Sequence, residues 1–202
     1  MKNNKSIIDK LTALWALNES GLGGFLHVFN TPFTGLIVGG IAILLISLIA
    51  YYAENKWQAI LKALVIVLII KMAVSPYSPF AAYVAVSFQA VFGAFLFSKF
   101  SWKGLTLMIL GMVTFLVSAL QKLLILTIVY GTELWEAINL YGVWVQKKMD
   151  FIADTTATTF LVTLYLVVYG VCGILAGIFI KSIIKIIVNK KEVDFYLEAE
   201  TS

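Results

Sequence analysis

The chain has 202 residues, 61% of them hydrophobic, 14% aromatic and only 13% charged. Its mean hydropathy is +0.95. Soluble chains run at about 45–50% apolar and about 25% charged residues, so a water-soluble globule is excluded, and 3 prolines exclude a Pro-rich linker. The net charge of +4 rests on 15 lysines against 11 acids, with no arginine and no basic stripe to read nucleic acid.

A bilayer core about 30 Å thick needs roughly 20 helical residues. The chain opens on the basic Met1-Lys2-Asn3-Asn4-Lys5. Asp9, Lys10, Asn18 and Glu19 interrupt the next stretch, so no short apolar core with a cleavage site is visible and the N-terminus is expected to stay. Residues 6–28 are expected either to cross as a polar first span or to lie at the interface as an amphipathic helix. Five apolar runs come next, predicted as spans over 33–53, 59–74, 80–98, 104–130 and 155–180. The segment 133–149 carries Leu134, Ile138, Tyr141, Val145 and Met149 at helical spacing. It is predicted as an outer amphipathic helix anchored by Trp135 and Trp144, or as an aromatic belt. No strand is expected, since the runs are too long and do not alternate. The expected fold is all-α: one polytopic membrane domain over 1–202, five clear spans plus a sixth at the N-terminus.

The lysines orient the spans, because short cytoplasmic loops collect them. The tail 181–202 holds Lys181, Lys185, Lys190 and Lys191 and is placed inside. Alternation then puts the Lys99–Lys103 turn and the Glu54-Asn55-Lys56 turn inside, with Lys2, Lys5 and Lys10. Residues 27–32, 75–79 and 130–154 fall outside. Lys147 and Lys148 run against the rule, beside Asp150 and Asp154.

Polar groups inside lipid are expensive and usually face a cavity or a partner. Gln121 and Lys122 fall in the outer half of their span, Lys71 toward the outer end of its own, and Gln89 near mid-span. Lys71 is expected to snorkel to the interface, and Gln89 suits a bond between helices. The outer connections are rich in rings, hydroxyls and amides, a lining that suits a small organic ligand. The candidate binding residues are Lys122, Gln121, Tyr77, Tyr83, Glu133, Trp135, Glu136 and Asn139. Turn chemistry alone would also account for the prolines flanking Tyr77. Gly35 and Gly39, like Gly173 and Gly177, are four apart and mark close helix contacts, internal or with a membrane partner.

Other chemistry finds little to build on. His27, Glu133, Glu136, Asp150 and Asp154 share the outer side but at spacings that select no metal, so no metal or cofactor is expected. There is no HExxH, GxSxG or CxxC pattern, and catalysis is not expected. The lone Cys172 lies in an apolar run and reads as a small buried hydrophobe.

With these residues in place, the chain resembles the substrate-binding subunit of energy-coupling factor vitamin transporters, from about Ser6 to Val188. The outer segments His27–Pro32, Ser75–Pro79 and Tyr130–Asp154 and the small-residue faces carry the resemblance, with Ala13 and Ala16 suggesting the alanine-spaced docking face. It implies capture of a vitamin-like nutrient from outside, a membrane coupling subunit and cytoplasmic ATPases as partners, and location in the cytoplasmic membrane with both termini inside. The absent Walker A pattern fits such a division of labour. The arginine-containing glycine motif of the biotin branch and the Met-His start of the cobalt and nickel branches are absent, so no particular substrate is implied. The alternatives are a structural or assembly subunit of a larger membrane complex, and a lipid-modifying enzyme built on His27, Glu133 and Glu136.

Overall fold

In lipid a backbone must satisfy its own hydrogen bonds, and long apolar runs do so as helices. The computed structural model describes residues 2–23, 25, 34–100, 104–148 and 156–200. The helices are α1 (Lys2–Leu17), α2 (Thr34–Tyr52), α3 (Lys56–Val74), α4 (Phe80–Lys99), α5 (Gly104–Lys148) and α6 (Ala157–Glu200). A π-helical turn, Asn18–Leu22, continues α1. No strand occurs among the described residues. The helices α2 to α6 are each long and apolar enough to cross a membrane, whereas α1 is not among them.

Helix α2 is the hub, touching all five of the others. Its Ala42, Ile43, Ile46, Ile49 and Ala50 are fully buried. Around it, α1 packs on α2 and α3, while α3 pairs with α4 and α5 with α6. The outward faces stay apolar: Leu124, Ile128, Val167 and Leu175 are all exposed. That surface costs nothing in hydrocarbon and would be prohibitive in water. Ends follow local chemistry. Asn55 caps α3 by accepting the Gln58 N–H at 3.2 Å. Pro79, at the N-cap of α4, donates no N–H of its own.

Within α5, residues 104–130 and 133–148 are two helical stretches separated at Gly131, whose φ 57° and ψ −134° are not helical. The expected spans differ from the helices in one instructive way: α6 does not stop with its apolar run at Ile180 but continues through 181–200. Lysine and glutamate end an apolar stripe but favour helix. At about 1.5 Å per residue, its 44 residues span about 66 Å, far more than a bilayer core.

Gly131 has φ in the region that side chains avoid, and nothing lies within 4 Å of where a Cβ would stand. The cost of filling it is therefore backbone strain alone. Gly131→Ala is expected to lose about 1–3 kcal/mol of stability in a denaturant titration of the micellar protein.

The α5–α6 contact is the most intimate in the bundle. A Cβ on Gly173 would stand 2.5 Å from the Gly111 carbonyl oxygen, and one on Gly177 2.6 Å from that of Leu107. One on Gly142 would meet the Ala157 oxygen at 2.6 Å. Gly35 and Gly39 differ: there a Cβ would meet Ser118 and Phe115 at 3.7 and 3.6 Å, ordinary contact. The Gly173–Gly177 face is thus spent inside the molecule.

Candidate functional site

The π turn at the end of α1 advances each residue by less than an α-helix does. Three successive side chains, Asn18, Glu19 and Ser20, consequently all turn inward and are buried. Asn18 donates its amide to the Val38 carbonyl on α2 at 3.0 Å. The Ser20 hydroxyl bonds back to Ala16 O at 2.6 Å. Glu19 is left facing α3, and π turns of this kind recur at functional sites.

Lys71, on the last turn of α3, meets it. Its Nζ lies 3.0 Å from a Glu19 carboxylate oxygen, with the two side chains 5% and 4% exposed. The same ammonium donates to the Glu19 backbone carbonyl at 2.9 Å. The Trp15 indole stands beside the carboxylate. Lys71 therefore does not snorkel; it turns inward to a partner 52 residues away. Two charges out of water require each other, because either alone costs several kcal/mol.

Above this pair lies a cavity of about 180 Å³. It occupies the half of the bundle that holds the start of α2, the end of α3 and the start of α4. Glu19 and Lys71 form part of its wall; Gln121 and Lys122 enter from α5, Gln89 from α4 and Tyr169 from α6. The apolar lining comes from small residues, Ala81, Ala82 and Ala85 on α4 and Gly35 and Gly39 on α2. Small side chains at these positions leave the space open. The amides fix the walls: Gln89 donates to Gly39 O at 2.9 Å, tying α4 to α2. Gln121 donates to Ala81 O, tying α5 to α4.

The structure brings two of the eight candidate binding residues, Gln121 and Lys122, to this cavity. The other six stand elsewhere. Tyr77 is 98% exposed at the tip of the α3–α4 turn. Tyr83 donates to Ser75 O at 3.3 Å and braces that turn. Glu133, Trp135, Glu136 and Asn139 lie on α5 beyond Gly131, where Asn139 accepts from Thr158 on α6 at 3.3 Å. His27, Met149, Asp150 and Asp154 lie outside the described residues. Among the described residues no three His, Cys, Asp or Glu side chains stand close enough to hold a metal.

Glu19 and Lys71 do not stand among the residues expected to bind. The available signal is a carboxylate and an ammonium each inside an apolar segment, which lipid normally forbids unless they pair or serve a site. No family model, curated protein or solved structure matches the chain. The site defines the chain only as a helical bundle with five apolar helices able to cross a membrane and a charged, amide-lined cavity at one end.

Proposed function

We propose that the chain is the binding component of a nutrient uptake system, capturing a small polar organic molecule from outside the cytoplasmic membrane. The observation that supports this most is the cavity itself: two lysines, a glutamate and two glutamines around open space in an otherwise apolar bundle. Structural bundles fill such space, and polar groups kept there at a cost point to a ligand. The volume is below the roughly 300–1,000 Å³ of drug-sized sites, which suits a compact metabolite.

Orientation is argued from the lysines. Lys99 ends α4, and Lys181 lies against Gly104 at the start of α5, so the two belong to the end opposite the cavity. With that end inside, and with α1 and its π turn crossing as a sixth, polar span, the cavity opens outward and both termini are cytoplasmic. Transport would draw on separate ATPase subunits through a membrane coupling subunit, since the sequence holds no Walker A pattern. The tight glycine face is used between α5 and α6, which weakens the rival reading of an assembly subunit that docks through it.

Native mass spectrometry of the protein extracted gently from its own membranes tests the reading. The expected result is a reproducible bound mass of a few hundred daltons or co-purified ATPase subunits. Phospholipid alone on the protein contradicts it.

A further inference from the structure

The charges of the cavity do not sum to zero. Glu19 and Lys71 neutralise each other at 3.0 Å. Lys122 lines the same cavity from α5, and among the described residues no carboxylate lies within salt-bridge distance of it. Among the described residues the cavity therefore carries one positive charge with no carboxylate beside it. The neutral polar groups add no charge: Gln89 and Gln121 each donate an amide N–H to a backbone carbonyl, and Ser118 donates to Thr114 O at 3.0 Å.

We propose that the ligand is a monoanion, a small organic carboxylate whose charged end is held by Lys122. The inference rests on the uptake reading above and specifies its substrate class. A carboxylate brings the cavity to neutrality. A phosphate monoester, at about −1.5 to −2 near neutral pH, would leave excess negative charge facing the buried Glu19 carboxylate, where an unpaired charge is costly. A cationic ligand would place a second unpaired positive charge beside Lys122. A neutral one would leave the ammonium without its counter-ion. The Glu19 carboxylate in the cavity wall is already paired with Lys71 at 3.0 Å and offers a cation little.

The test uses the full-length protein in lipid nanodiscs, exposed to the small-molecule extract of the cells that make it. Bound masses are read by native mass spectrometry. Three extracts are compared: untreated, methyl-esterified to block carboxylates, and phosphatase-treated. The expected result is a bound compound lost on esterification and kept after phosphatase. Lys122→Gln should capture it about tenfold to a hundredfold less, the range one charge-assisted hydrogen bond supplies. Lys122→Arg, keeping the charge, should recover most of the capture. Lys122 is exposed rather than packed in the core, so both variants should elute as the wild type does in size-exclusion chromatography. A compound that survives esterification, one lost with phosphatase, or one bound equally by Lys122→Gln overturns the monoanion and leaves nutrient capture standing. No bound small molecule from any extract overturns capture itself, and the monoanion with it.

Discussion

Removing one member of the buried ion pair is expected to cost the protein about 3–5 kcal/mol. Glu19→Leu strands the Lys71 ammonium, and Lys71→Met strands the Glu19 carboxylate, each 5% exposed or less in the native fold. The double variant Glu19→Leu/Lys71→Met strands nothing. Replacing a buried pair by apolar groups of similar volume is often neutral or stabilising, so the double variant should recover most of the loss. Thermal unfolding in detergent reads all three. If the pair serves the cavity and not the fold, the double variant melts like the wild type and no longer captures ligand. Single variants as stable as the wild type would mean that Glu19 and Lys71 do not meet.

The second large effect is expected at the α5–α6 crossing. Gly111→Ala puts a methyl group against the Gly173 backbone, and Gly173→Ala puts one 2.5 Å from the Gly111 oxygen. In both cases the obstacle is backbone, so no side chain can swing aside. The helices must separate, losing the close packing that substitutes for the hydrophobic effect between helices in lipid. Overpacking costs typically about 1–3 kcal/mol and here should reach the upper end. Gly39→Ala is the control, since its Cβ would meet only the Phe115 ring at 3.6 Å and the Thr114 methyl at 3.9 Å. It should lie within about 0.5 kcal/mol of wild type. Equal melting of Gly111→Ala and Gly39→Ala would contradict the crossing.

Legibility in the sequence divides along physical lines. Span length and apolarity fix where helices form, because lipid leaves the backbone no alternative; α2 to α6 each lie over one of the five apolar runs. Gln121 and Lys122 are visible because an amide and an ammonium inside a span are costly. Glu19 is harder to single out, because a helical wheel spreads Asn18, Glu19 and Ser20 over different directions. Only the π turn gathers them on one face, and no residue type announces a π turn. Lys71 reads wrongly for another reason: near a span end a lysine stem can carry its ammonium to water, so snorkelling is the expected outcome until a partner is placed. The partner lies 52 residues away on another helix, which periodicity cannot reach. Gly173 and Gly177 are visible as a spaced pair, whereas Gly111, a lone glycine in a long apolar run, gains meaning only from the helix crossing it.

Ligand capture in the cavity beside Glu19 and Lys71 is tested most directly by native mass spectrometry of the wild type beside Ala85→Phe, both extracted from their own membranes. Ala85 lines the cavity from α4, and a phenyl ring there takes up its space while removing no charged group. The predicted result is a bound mass of a few hundred daltons on the wild type and its loss from an otherwise folded Ala85→Phe. The same mass on both proteins would place the ligand elsewhere, and phospholipid alone on both would contradict capture altogether.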